Sequence, residues 1–284
     1  MDSQHYQIRN MTHDEVSLAI DWAASEGWNP GLQDQDSFFA ADETGFLLGL
    51  LNGNPIACIS AVKYEHDFGF IGFYLVKPEF RGHGYGLKIW QAAMNALAGR
   101  TVGLDGVLSQ QDNYKKYGFQ LAYPNIRYQG LSAVFSVPPS SAVVELLSRN
   151  EEEINQFDRH IFSKARRVFL ANWLRQPGST ALAYLEDNRL AGYGVARPCR
   201  VGYKIGPLFA KTPEQAEQLF LSLISSLPHR TSYFLDIPSI NSHAVDLVNR
   251  HAMQPVFETA RMYLGQAPAV PIEYVYGVTS FELG

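Results

Sequence analysis

Across residues 46–76 the apolar positions fall into short runs broken by turn signals, which is the pattern of strands. Residues 46–51 and 55–62 read as two strands joined through Asn52-Gly53, a pair that accepts the positive φ of a tight hairpin turn. A third run over 68–76 follows the polar turn 64–67, and Pro78 ends it. Beyond Gly86 the period changes. Leu87, Trp90, Met94 and Leu97 recur at helical spacing, and Ile89 and Ala93 widen the apolar stripe. The pattern therefore predicts a strand running into a glycine-rich turn and then a helix. Further strands are expected over 99–107 and 119–128, with a short helix over 110–117 between them. Ahead of the hairpin, residues 12–26 read as a helix, with Thr12 as its cap and Glu15 placed three residues on to complete a capping box. This is a mixed α/β pattern.

The second half repeats the first. Asn188-Arg189-Leu190-Ala191 aligns with Asn54-Pro55-Ile56-Ala57, and at that same spacing Ile205-Gly206 falls on Ile71-Gly72 and Lys211 on Lys77. After a short length difference near Asp105, Met253-Gln254 falls on Phe119-Gln120 and Arg261 on Arg127. A hairpin, a strand, a helix and a final strand in one order predict a duplicated domain. The Pro- and Ser-rich stretch 137–141 marks the expected boundary, giving domains over residues 1–136 and 137–284.

Composition narrows the function classes. A chain of 284 residues is long enough for two domains that each bury a core. Its 46% hydrophobic and 18% charged content is that of a globular protein, and no apolar stretch is long enough to span a bilayer. A net charge of −5 without a basic run disfavours a nucleic-acid partner and inclines toward a cationic one. The start, Met1-Asp2-Ser3-Gln4-His5, lacks the basic and apolar regions of a secretory leader, and Cys58 and Cys199 lack any metal or redox spacing. A soluble, cytoplasmic protein with reduced cysteines is expected. No histidine shows ligand spacing, so no metal is expected either.

Chemistry concentrates in Arg81-Gly82-His83-Gly84-Tyr85-Gly86. Three glycines between a strand and a helix let backbone N–H groups converge on phosphate oxygens, and the helix start directs its positive end at the same anion. Together with Leu75-Val76-Lys77-Pro78-Glu79-Phe80 before it, the loop resembles the R/Q-x-x-G-x-G/A signature of the GNAT acetyltransferase superfamily. Tyr114-Lys115-Lys116-Tyr117-Gly118-Phe119 resembles the Y-x-x-x-G-F segment of the same family. The resemblance implies two tandem domains, each a mixed, mainly antiparallel sheet flanked by helices. It implies acetyl-CoA as cosubstrate, with the pantetheine arm along Leu75 and Val76. The pyrophosphate would lie on the loop from Arg81 through Gly82, His83, Gly84 and Tyr85 to Gly86. It also implies Tyr114 as the general acid that protonates the departing thiolate.

In the second half Gly82, Gly84 and Gly86 are replaced by Ala216, Gln218 and Phe220, His83 by Glu217 and Tyr114 by Val248. Thr212-Pro213-Glu214 would start that helix with an ordinary cap, so this domain is expected to bind no CoA. On the acceptor side, Asp105 is a candidate base, or it ends its strand through a turn with Gly106. Trp28 and Asp34, on the loop after the first helix, are candidates for holding a cationic amine. The function expected is acyl transfer, acetyl in the first instance, to the primary amine of a small molecule. Acetylation of a protein N-terminus or lysine, and a non-catalytic acyl-CoA-binding regulatory module, are the alternatives.

Overall fold

The computed structural model describes residues 5–132 and 140–284. The expected boundary stretch 137–141 lies outside these apart from Ser140 and Ser141, as do the first four residues. The first half runs β1 (Tyr6–Asn10), α1 (Val16–Ser25), α2 (Asp34–Ala41), β2 (Phe46–Leu51), β3 (Asn54–Tyr64), β4 (Phe68–Val76), α3 (Tyr85–Ala96), β5 (Thr101–Val107), α4 (Gln111–Lys116) and β6 (Gln120–Leu131). The second half repeats that order: β7 (Val143–Glu145), α5 (Glu151–Phe162), α6 (Arg167–Trp173), β8 (Thr180–Glu186), β9 (Arg189–Pro198), β10 (Tyr203–Ala210), α7 (Pro213–Ser225), β11 (Ser232–Pro238), α8 (Ser242–Arg250) and β12 (Gln254–Leu264). One short strand, β13 (Val275–Gly277), follows and has no counterpart among the described residues of the first half.

Local chemistry accounts for the elements. Asn52 and Gly53 turn the β2–β3 hairpin with φ of 50° and 81°. The N–H of Thr12 donates to Glu15 Oε2 at 2.9 Å and the Glu15 N–H to Thr12 Oγ1 at 3.4 Å, so the capping box forms ahead of α1. Along β2, Phe46, Leu48 and Leu50 enter one core while Leu47 and Leu51 enter another, on opposite faces of the sheet. Helix α3 buries Ile89, Trp90 and Ala93 in the second of these, and α7 buries Leu219, Phe220, Leu223 and Ile224 in a third core. The first core spans both halves: Phe38 of α2 stacks on Trp173 of α6 with ring centroids 6.0 Å apart.

The thirteen strands of the described residues join in one sheet, ordered β1-β2-β3-β4-β5-β12-β6-β11-β10-β9-β8-β7, with β13 against β10. The halves exchange the strands that close the repeat, β6 and β12. β12 pairs with β5, β6 pairs with β11, and the exchanged strands pair with each other. Arg261 of β12 sits opposite Asp105 of β5, and Arg127 of β6 opposite Asp236 of β11. Both pairs are bidentate: Arg261 Nε and Nη2 donate to Asp105 at 2.8 and 2.6 Å, and Arg127 Nε and Nη2 to Asp236 at 2.7 Å each. All four side chains are buried.

Among the described residues only two strand pairs are parallel, β4–β5 and β10–β11. The first ends at Ile71 opposite Leu104, and beyond it the strands part. A bulge in β4, with Phe73 at φ 47°, accompanies the parting. The second pair ends at Ile205 opposite Leu235, with a matching irregularity in β10. There β13 lies in the fork, with Leu208 opposite Gly277 and Phe209 opposite Val275, and the Val278 N–H donates to Asp236 O at 2.8 Å.

Removing Arg127 alone leaves Asp236 as an uncompensated buried charge, so Arg127→Leu is expected to cost about 3–5 kcal/mol, with much of it recovered in Arg127→Leu/Asp236→Leu. Urea unfolding of the three proteins measures this, and a single-variant loss below about 1 kcal/mol, the size of an exposed pair, would show that the exchange is held by something else. Burial opposes ionisation of Asp236, but Arg127 outweighs it and holds the carboxyl below its ordinary range. The stability from this group is therefore present above about pH 4 and lost as pH falls through its lowered value.

Candidate active site

The fork between β4 and β5 opens into a cavity of about 520 Å³. Leu75, Val76, Arg81, Gly82, Gly84 and Gly86 line one part of it, and Ile71, Gly72, Phe73, Leu104, Asp105 and Tyr114 another. Gly82 and Gly84 hold φ of 80° and 82°, and a Cβ built on either meets no atom within 4 Å. The N–H groups of Gly82, His83, Gly84 and Gly86 have no acceptor among the described residues. Gly84 caps α3 without a side-chain hydrogen bond, so the helix start carries unsatisfied donors beside the cavity. A Cβ on Gly86 would come within 2.8 Å of Tyr74 Oη and 3.2 Å of Val76 Cγ2, so glycine there lets α3 sit tight against β4. These are the features that a pyrophosphate and a pantetheine arm require, and the residues present fit them.

The side chains of the loop divide. Arg81 donates from Nε to Val76 O at 2.8 Å and pairs with Glu26, tying the loop to the end of α1. His83 holds its own loop through Nδ1 and Arg81 O at 2.9 Å and does not line the cavity. Tyr85 turns away into the core beneath α3, 4.8 Å from the Tyr6 ring, with its carbonyl accepting from Tyr6 Oη. Neither His83 nor Tyr85 is among the residues that line the cavity.

Tyr114, 8% exposed, packs on Trp90 and Phe119 and lies across Gly106, where a Cβ would come within 2.4 Å of its ring. No described group accepts from its hydroxyl. Burial pushes its phenol far above the ordinary value, so it stays protonated and able to donate.

Two expected acceptor-side residues are placed otherwise. Asp34 is 1% exposed and does not line the cavity. It accepts from Arg197 Nε at 2.8 Å and Nη2 at 3.2 Å and from the Gly31 N–H at 2.7 Å. Burial opposes its ionisation, yet Arg197 holds the carboxyl below its usual range. Asp34 is therefore a buried tie between the halves, not an amine-binding group. Asp105 does reach the cavity, but Arg261 engages both its oxygens and the Asn125 amide donates to Oδ1 at 2.8 Å. Burial pushes this carboxyl up against the pull of Arg261. Its counterpart Asp236 makes the same arginine pair in the half whose fork is filled, so strand exchange alone accounts for Asp105. Neither a turn with Gly106 nor a free base describes it.

Trp28 lines the cavity, and residues of both halves fix its loop. Asn29 Nδ2 donates to Val201 O at 3.1 Å, the Arg200 N–H to Pro30 O at 3.1 Å, and Arg127 Nη1 to Trp28 O at 2.7 Å. The second half also supplies wall residues absent from the sequence-based set: Phe257 and Thr259 of β12, and Phe281 and Glu282 of the C-terminal tail. The available sequence signal was the tail itself, which extends past the end of the repeat.

In the second half the equivalent loop is replaced by an ordinary helix start. Thr212 Oγ1 accepts from the Gln215 N–H at 3.3 Å, and Gln215 Oε1 accepts from the Lys211 N–H at 3.2 Å. Glu217 is held by Arg250 and His251. Among the described residues no group of histidine, cysteine and acidic side chains is placed to hold a metal, and no helix is long and apolar enough to cross a membrane.

Comparison with known proteins agrees with this arrangement. The Acetyltransferase (GNAT) family model matches residues 9–119, and an Acetyltransferase (GNAT) domain model matches residues 154–277. A holothin acyltransferase from Pseudoalteromonas sp. (strain SANK 73390) is 32% identical over 283 residues, covering 100% of this chain and 96% of its own. A solved structure from Pyrococcus horikoshii superposes with a TM-score of 0.83 at 24% identity, over 100% of this chain and 98% of that one. A tandem GNAT protein from the clavulanic acid biosynthesis pathway superposes with a TM-score of 0.63 at 10% identity, over 93% and 100%. With one GNAT module in each half and an acyltransferase relative along its whole length, this chain belongs to the GNAT family, as a tandem-domain acyltransferase.

Proposed function

We propose that the protein transfers an acyl group, acetyl in the first instance, from acyl-CoA to the amine of a small molecule, both bound at once in the β4–β5 fork. The observation that carries this is the continuity of one cavity from the open Gly82 and Gly84 loop to Tyr114 and on to an aromatic wall of Trp28, Phe73, Phe257 and Phe281. Backbone N–H groups of the loop hold the pyrophosphate, and the unpaired edge of β4 at Leu75 and Val76 holds the pantetheine arm. Tyr114 gives its proton to the departing sulfur. A cavity walled by side chains from both halves favours a small acceptor over a protein chain. The relative named a holothin acyltransferase supports the same class of acceptor. The second domain serves as wall and brace, because β13 fills its fork and Thr212 caps its helix.

In Gly84→Glu a carboxylate would meet the pyrophosphate oxygens where donors are needed, and calorimetry is expected to show acetyl-CoA binding abolished while the fold survives. The same titration of the unaltered protein should give one acetyl-CoA per chain; a stoichiometry of two would contradict the filled second fork.

Tyr114→Phe keeps the ring packed on Trp90 and removes only the donor. Both kcat and kcat/KM are expected to fall together by about 10²–10⁴-fold, with acetyl-CoA affinity unchanged. Steady-state kinetics beside calorimetry checks this. Full turnover in the variant would remove Tyr114 from the chemistry, and a loss confined to CoA affinity would make it a cofactor contact.

A further inference from the structure

We propose that Glu282, on the C-terminal tail, is the carboxylate that takes up the proton of the acceptor amine, a role that rests on the acyl-transfer reading above. Its place in the fold is at the fork. The last paired residues of β4 and β5 are Ile71 and Leu104, and a Cβ on the next residue, Gly72, would come within 2.1 Å of the Glu282 carbonyl oxygen. Glycine at 72 is what lets the tail cross β4 there. Glu282 is 4% exposed and lines the cavity that Tyr114 lines. The tail around it is fixed: Tyr64 Oη donates to Leu283 O at 2.9 Å, and the Leu283 N–H donates to Ser280 Oγ at 3.1 Å. The side chain therefore stands on an anchored backbone, as a proton acceptor needs.

Three acidic residues line the cavity, Glu26, Asp105 and Glu282. Glu26 is taken by Arg81 and Asp105 by Arg261. Among the described residues no hydrogen bond or close ion pair reaches the Glu282 carboxylate, unlike those of Glu26 and Asp105. Arg127, Arg197 and Lys204 all feel its charge. Asp236 and Asp34 already answer the two arginines.

The step balances without another reactant. As the amine nitrogen bonds to the acyl carbonyl carbon, a Glu282 oxygen accepts the nitrogen's proton; the C–S bond breaks, its electron pair goes to sulfur, and Tyr114 supplies the proton there. Glu282 then returns its proton to Tyr114 through solvent, and the products are an amide and free CoA. A purely structural Glu282, balancing the charge of Lys204, is the competing account.

The test uses the full chain with acetyl-CoA and a panel of holothin, benzylamine and tyramine. Glu282→Gln is expected to lower kcat/KM by about 10²–10⁴-fold while calorimetry gives wild-type acetyl-CoA affinity. Because loss of charge could destabilise the seam, Glu282→Ala is assayed with added formate, which should restore turnover by at least about tenfold if a carboxylate is missing from the reaction path. Undiminished kcat/KM in the Gln variant overturns the proposal. So does an activity loss that matches a loss of acetyl-CoA binding and that formate does not repair. Absence of wild-type turnover with every amine would instead sink the small-amine reading itself, and the role of Glu282 with it.

Discussion

The pairing of Arg261 with Asp105 and of Arg127 with Asp236 is the constraint on which the rest of the molecule rests. Each aspartate is the fifth residue of its strand, β5 or β11, and each arginine comes from the exchanged strand of the other half, β12 or β6. A carboxylate and a guanidinium buried apart would each face a desolvation penalty of several kcal/mol, so neither half is complete without the strand it receives. The exchange makes one sheet of two domains. It also brings Phe257 and Thr259 of β12 beside the first fork and puts Asn125 of β6 against Asp105.

From that shared sheet the two forks take different courses. Both parallel pairs end after three or four residues, and both outer strands carry an irregularity at the parting. In the first half the space stays open, lined by glycine backbone and aromatic rings. In the second, β13 supplies the hydrogen bonds that β10 would otherwise lack, and the chain continues through Thr279 and Ser280 to reach the first fork at Glu282. A single tail thus closes one cleft and forms a wall of the other, which ties the loss of a site in one domain to the shaping of the site in its neighbour.

A third buried pair, Asp34 with Arg197, joins α2 to β9 across the same seam, and Gln176 donates to Ser37 beside it at 3.1 Å. Lys204 completes this polar centre, its ammonium lowered to about 8 chiefly by burial. Buried charge at a domain seam fixes register more than it adds stability, since a shifted strand would leave an unpaired ion. This explains why acidic residues that look available along the chain prove to be occupied in space.

The hydrophobic period, the Asn52-Gly53 turn and the Thr212 cap determine their elements from nearest neighbours alone and stand where the sequence puts them, whereas α1 begins at Val16, one turn later than a Thr12 cap would start it. The glycine loop is legible for the same reason: positive φ at Gly82 and Gly84 and a helix start at Tyr85 are local properties. The internal repeat foretells two copies of one fold, and even places Arg127 over Arg261. It carries no information on which half each copy's last strand joins, because a β-strand's partner is chosen by packing and charge far along the chain. Asp34 and Asp105 were therefore read as site groups when their arginines lie 163 and 156 residues away. For the same reason only the tertiary structure reveals that Trp28, Phe257, Phe281 and Glu282 share one cavity, and that the tail runs through both forks.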